Sequence, residues 1–173
     1  MAFASALDGA IARASNPEFV GRVHFARYLV AAGVVPDVKA AFRRFLAEGK
    51  PAYVRHGWTD LAQAVHWIGQ AGGVAVLAHP LRYGLRVARL RALLESFRAL
   101  GGCAMEVVTA SCNDEQARLL ANLGRETGLV ASAGSDFHSP EESWLDIGEV
   151  PALPPGCDAV WARWPMQDAI AAA

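Results

Sequence analysis

An α/β protein with a parallel sheet covered by helices is what the sequence predicts, on three observations. From Thr59 onward, short apolar runs alternate with amphipathic helical stretches, the runs are continuously apolar instead of alternating in polarity, and Gly punctuates their boundaries. Residues 1–58, by contrast, read as helices only.

In that leading region "FASALDGAIARA" has helical spacing. The stretch "PEFVGRVHFARYLVAAG" follows, with Pro17 suited to a helix start and Gly33 to a stop, and "PDVKAAFRRFLAEG" uses Pro36 and Gly49 in the same roles. No strand is predicted before Trp58. Beyond it the expected order is helix "DLAQAVHWIGQAGG", strand "VAVLAHP", helix "RVARLRALLESFRALGG", strand "AMEVVTA", helix "NDEQARLLANLGRETG" and strand "LVASAGSDFH". One more strand and a terminal helix are expected within "DAVWARWPMQDAIAAA". There is no internal repeat and no low-complexity linker.

Composition bounds the function. A chain of 173 residues, 53% hydrophobic, suits a globular protein with a sizeable core. Its 16 Lys and Arg nearly cancel 17 Asp and Glu, which excludes a global basic charge for nonspecific nucleic-acid binding and leaves a local patch open. Cys103, Cys112 and Cys157 are odd in number and lack metal-finger spacing, and the start "MAFASALDGAIARASN" lacks a basic region followed by an apolar core. The expected compartment is therefore the cytoplasm. Arg, Glu, His and Gly interrupt every apolar stretch short of the ~20 residues of a membrane span.

Parallel sheets place their chemistry at the carboxyl ends of strands. Here those ends carry His79, Glu106, and the pair Asp136 and His138 in "GSDFH". Alternate residues of a strand share a face, so Asp136 and His138 are expected to point the same way, toward one ion. Imidazole nitrogen with carboxylate oxygen suits Mn, Fe, Zn and similar divalent cations, and His79 is a natural further ligand. Each residue also has a plainer reading: His79 as a hydrogen-bonded structural residue before Pro80, Asp136 as a turn former, Glu106 as a cap for a neighbouring helix. His66 falls mid-helix, where it faces solvent or packs against Trp67, and His56 lies in a loop within reach of the site but reads first as a surface residue.

Together "VAVLAHPLRY", "AMEVV" and "GSDFHSP", preceded by "GRVHFARYLV" and "FRRFLAEGKPAYV", resemble the later motifs of the PHP (polymerase and histidinol phosphatase) metallohydrolases. Within that superfamily they are most similar to the bacterial 3′,5′-nucleoside bisphosphate phosphatases, a branch that includes 5′-to-3′ exoribonucleases of the RNase AM type. The similarity runs over nearly the whole chain. It implies a distorted β/α barrel holding up to three divalent ions, Mn foremost with Mg, Fe or Zn as alternatives, that hydrolyses phosphate esters such as adenosine 3′,5′-bisphosphate and short RNA ends. It also implies that residues 1–58 form a helical insertion and residues 59–173 the later portion of the barrel.

By motif, the resemblance assigns His79, Asp136 and His138 to metal, and Arg22, His24 and, less directly, Arg82 to the substrate phosphate. A guanidinium contacts phosphate bidentately and an imidazole donates to its oxygens; alternatively, Arg22 and His24 are an ordinary polar helix face. Glu106 is left between a supporting role and the substrate pocket. Other PHP activities, such as histidinol-phosphate phosphatase, would share "AHP" and "DFH" but not "HFARYLV".

The departure from the family pattern is large. The His-x-His strand, nearby Asp, further His and bridging Glu with which such proteins begin are absent: no two of the five histidines are separated by a single residue. The sequence therefore resembles the later portion of such an enzyme without most of its metal ligands, which raises the expectation of weak metal binding, negligible phosphoesterase activity and self-association through an exposed barrel edge. A metal-deficient, phosphate-binding remnant is the noncatalytic alternative.

Overall fold

The computed structural model describes residues 3–138, 140, 143 and 145–163. The chain divides into two compact units, Met1–Trp58 and Thr59–Ala173.

The first unit is helical. Helix α1 spans Phe3–Ile11 and α2 spans Arg22–Ala31. Helix α2 starts after Gly21 and not at Pro17, five residues later than the sequence signal suggested. Its opening turn is closed by its own third residue, because the Gly21 N–H donates to His24 Nδ1 at 2.9 Å. Helix α3, Val38–Ala41, is capped by Asp37, whose carboxylate accepts from the Ala40 N–H, and runs on into a π turn at Phe42–Leu46. Gly33 and Gly49 both adopt positive φ, 68° and 75°, the left-handed conformation that ends a helix without a Cβ clash. Ala26, Val35, Ala40, Ala41 and Leu46 form this unit's own core.

The second unit alternates helix and strand: α4 Leu61–Gln70, β1 Val76–Leu77, a short 3₁₀ turn Pro80–Tyr83, α5 Val87–Ala99, β2 Ala104–Thr109, α6 Asp114–Thr127, β3 Val130–Gly134 and a 3₁₀ turn Val160–Arg163. Asp60 and Asn113 cap α4 and α6 from their side chains, and Asn113 and Gln116 form a reciprocal capping box. The sheet is parallel in the order β1-β2-β3. In β2 every residue is buried except Glu106, which is partly exposed, as befits a central strand covered on both faces. Leu90, Leu94 and Phe97 of α5 and Leu120 and Leu123 of α6 pack against Met105 and Val107 to make the main core.

Two expectations change. The barrel implied by the motifs is not closed: the described strands make an open three-stranded sheet, and closure takes about eight. Strand β1 is only two residues long, because among the described residues it has a neighbour on one side alone, and Val74 and Val76 are exposed. In the tail, the expected strand amounts to a single parallel bridge from Ala159 to Ala131. The expected terminal helix lies outside the described residues. Among the described residues no helix is long and apolar enough to cross a membrane.

Leu94 is 0% exposed at the centre of the main core. Leu94→Ala should therefore cost about 2–5 kcal/mol, measured as a fall in the denaturation midpoint of the chain; a change below about 1 kcal/mol would show that the α5–sheet contact is not what holds this unit.

Candidate active site

The site is built on the carboxyl ends of the strands, and the central strand organises it. Glu106 leaves the apolar pattern of β2 and sends its carboxylate across both neighbours. Its Oε2 accepts the His79 N–H at 2.6 Å at the end of β1. Its Oε1 lies where a Cβ on Gly134, at the end of β3, would come within 2.6 Å. A register shift between Glu106 and Val108 in the β2–β3 pairing marks the same place, and bulges of this kind re-aim side chains beside functional sites.

Immediately after the strands the backbone turns sharply. His79 has φ 32° and Asp136 φ 54°, and these are the non-glycine residues at positive φ among those described. Such conformations cost of order 1–3 kcal/mol and cluster at functional sites. Asp136 thus sits two residues beyond the end of β3, so the alternation that would put it and His138 on one strand face does not operate. His138 instead folds back, its Nδ1 hydrogen-bonded to Asp136 O at 2.7 Å and its backbone N–H donating to Ser143 Oγ. A carbonyl can only accept, so Nδ1 carries the proton and Nε2 keeps the lone pair that a ligand would use.

After His79 the turn Pro80–Tyr83 presents Arg82, whose Nη1 donates to Asp136 Oδ2 at 2.5 Å. The Tyr83 hydroxyl donates to Ala78 O at 2.7 Å, and its pKa is pushed up, first by burial and then by the Glu106 charge. His79 Nδ1 is buried with no hydrogen-bond partner. Arg82, Ser111, Cys112, Asn113, Asp136 and His138 border a cleft of about 690 Å³, and a smaller one of about 210 Å³ lies between His79, Arg82 and Thr109. Burial is the main cause that raises the Cys112 thiol pKa, which argues against a thiolate nucleophile.

Of the residues singled out from the sequence, Arg82, Asp136 and His138 come together at one cleft and His79 lines the adjoining one. Arg22 and His24 belong to the first unit. There Arg22 stacks over the Phe42 ring at 5.9 Å, and His24, having accepted on Nδ1, carries its proton on Nε2. His66 is exposed, and His56 is exposed with its ring edge-on to Trp58. Ser111, Asn113 and Ser143 were not anticipated at the site: Asn113 carries only the signal of a helix cap, and Ser111 and Ser143 only that of turn composition.

An open parallel sheet with this helix arrangement has counterparts among solved structures. The fold is similar to a protein from Bifidobacterium adolescentis assigned as a metal-dependent phosphoesterase (TM-score 0.68, 27% identity, 82% of this chain and 50% of that one). It is more similar to an amidohydrolase from Chromobacterium violaceum solved with sulfate and without metal (TM-score 0.82, 44% identity, 90% of this chain and 54% of that one).

By sequence the chain is related to the 3′,5′-nucleoside bisphosphate phosphatase of Chromobacterium violaceum, 44% identical over 158 residues, 91% of this chain and 55% of that protein. It is related also to a 5′-3′ exoribonuclease of Haemophilus influenzae, 39% identical over 160 residues, 92% of this chain and 57% of that one. The Escherichia coli 5′-3′ exoribonuclease Rnm is 41% identical over 159 residues, 92% of this chain and 54% of that one. These relationships support the resemblance to the bisphosphate phosphatase branch drawn from the motifs. The chain spans about half the length of these relatives. No family model matches it.

The residues fit a divalent cation in chemistry and as a partial set. His138 has the tautomer of a ligand, His79 Nδ1 is an orphaned buried donor, and Asp136 and Glu106 supply carboxylates. Among the described residues, however, no three His, Cys, Asp or Glu side chains converge on one point.

Gly134→Ala should drive a Cβ into Glu106 and loosen its hold on the His79 N–H. The expected readouts are faster amide exchange at His79 and a stability loss of about 1–3 kcal/mol, the scale of a lost hydrogen bond to a charged group; an unmoved His79 amide would show that Glu106 does not fix that strand end.

Proposed function

We propose that the chain is part of a metal-dependent phosphoesterase that removes phosphate from 3′,5′-nucleoside bisphosphates and acts on the 5′ ends of short RNA. The observation that carries this reading is the strand-end array in which Asp136 and His138 border one cleft with Arg82, His79 lines the adjoining cleft and Glu106 holds the His79 N–H, in a chain 39–44% identical to a bisphosphate phosphatase and to exoribonucleases. In this reading residues 59–173 are the later portion of a distorted β/α barrel, residues 1–58 a helical insertion, and the reaction is cytoplasmic. Up to three divalent ions are used, Mn foremost, and they supply acidified water and charge neutralisation at the phosphate.

The chain's own residues have distinct tasks. His79, Asp136 and the Nε2 of His138 are the protein donors to metal. Glu106 fixes the His79 backbone, and Asp136 O holds the His138 ring in the tautomer that leaves Nε2 unprotonated. Arg22, His24 and Arg82 bind substrate phosphate: His24 has its Nε2 proton free to donate, and the guanidinium groups offer paired donors. The partial donor set favours a second reading for the chain by itself, a phosphate-binding piece without turnover that self-associates through the β1 edge.

The test is phosphate release from adenosine 3′,5′-bisphosphate with added manganese, by the chain alone and joined to the part of the Chromobacterium phosphatase that the match leaves out. The chain alone should be nearly inactive and the joined protein active. In the active protein Asp136→Ala should lower turnover about a hundredfold or more together with metal content. Full activity after that substitution, or turnover near ~1 per second by the chain alone, would reject the assignment.

Arg22→Ala should behave differently, raising KM for the bisphosphate while leaving metal content intact, since a guanidinium meets substrate and not ions. An unchanged kcat/KM would return Arg22 to its stacking role on Phe42.

A further inference from the structure

We propose that Arg82 is a resident counter-cation of Asp136. Its guanidinium holds the carboxylate until a divalent ion displaces it, and it then turns to the substrate phosphate, so that ion and phosphate bind cooperatively. The inference rests on the phosphoesterase reading and adds to it an exchange of partners within the chain.

The position of Arg82 is set by its turn. Its backbone N–H donates to His79 O at 2.9 Å, Pro80 is buried, and the Tyr83 hydroxyl is tied to Ala78 O. From this fixed stem the side chain reaches Asp136 Oδ2, fifty-four residues away along the chain, across the ends of the sheet. Asp136 stands in a left-handed conformation two residues after β3. The turn and the strand end therefore place a cation against the carboxylate that the site would offer to metal.

The contact is poised to break. The side chains are 49% and 22% exposed, and ion pairs in contact with water contribute little. A divalent ion brings twice the charge to the same oxygen and outcompetes a monovalent group at equal distance. Once released, the guanidinium still borders the cleft that Asp136 and His138 share, where its paired donors suit a phosphate.

Each ligand then removes the partner that the other would have to displace. The cation takes the carboxylate, phosphate takes the guanidinium, and the coupling is reciprocal by thermodynamic necessity. Breaking an exposed pair of this kind corresponds to a change in affinity of up to about fivefold.

The experiment is titration of the 173-residue chain with manganese, followed by the electron paramagnetic resonance signal of the free ion, with and without inorganic phosphate. Arg82→Ala should bind manganese up to about fivefold more tightly than the parent chain, Arg82→Lys should fall between them, and Asp136→Ala should bind most weakly. Phosphate should strengthen manganese binding to the parent chain by a larger factor than it does to Arg82→Ala. Equal or weaker binding by both Arg82 variants, or no binding by any chain, overturns the exchange. Neither result depends on turnover: absence of bisphosphate hydrolysis by the joined protein would defeat the phosphoesterase reading and leave the measured exchange standing.

Discussion

Glu106 is the residue on which the geometry of the strand ends depends. Its carboxylate is the single acidic group in β2, the strand with neighbours on both sides, and it acts on both of them. One oxygen takes the backbone N–H of His79, a group that would otherwise be left without a partner where β1 stops. The other fills the space that Gly134 leaves by lacking a side chain. A charged acceptor satisfying a backbone donor is stronger than a neutral one, so this contact sets the turn from which both His79 and Arg82 are presented.

What that contact stabilises is a set of unfavourable local choices. Left-handed backbone at His79 and Asp136 would relax to ordinary conformations unless the surroundings over-determined it. At His79 the surroundings are Glu106, buried Pro80 and the Tyr83–Ala78 hydrogen bond; at Asp136 the His138 ring takes the backbone carbonyl. The core beneath is conventional, with leucines of α5 and α6 sealing β2, and it supplies the rigidity that lets a few polar contacts decide where the side chains point.

The elements of the second unit were legible because their signals are local and long. Helix α6 has a capping box, α5 and α6 both have apolar spacing, and β2 is apolar but for Glu106, so sequence and structure agree there within a few residues. The site residues were legible by type, since acid and imidazole at the ends of apolar runs are conspicuous. Their geometry was not. Nothing in "GSDFH" announces that the strand ends at Gly134, and it is this early stop that replaces face-sharing of Asp136 and His138 with a hydrogen bond from ring to backbone. Likewise, Glu106 reads as one acid on a strand until the neighbouring strand ends are placed beside it, because its partners lie 27 and 28 positions away. The start of α2 was missed because Pro17 is a valid signal that the chain does not use, while His24, in a position without a sequence signature, closes the first turn.

The brevity of β1 and the partial donor set are one constraint seen at two levels. A strand with one neighbour has half the ladder hydrogen bonds of a central strand, and here only Val76 and Leu77 are paired, to Ala104 and Met105. His79 follows directly, so the side chain with the orphaned buried nitrogen hangs from the least supported strand in the sheet. Among the described residues one edge of β1 is unpaired, and Val74 and Val76 beside it are exposed. Pairing there would lengthen the ladder of β1 and add backbone support to a turn that Glu106 already holds. His79 is thus set by two supports of different kind, the short backbone ladder of β1 and the Glu106 carboxylate beside it.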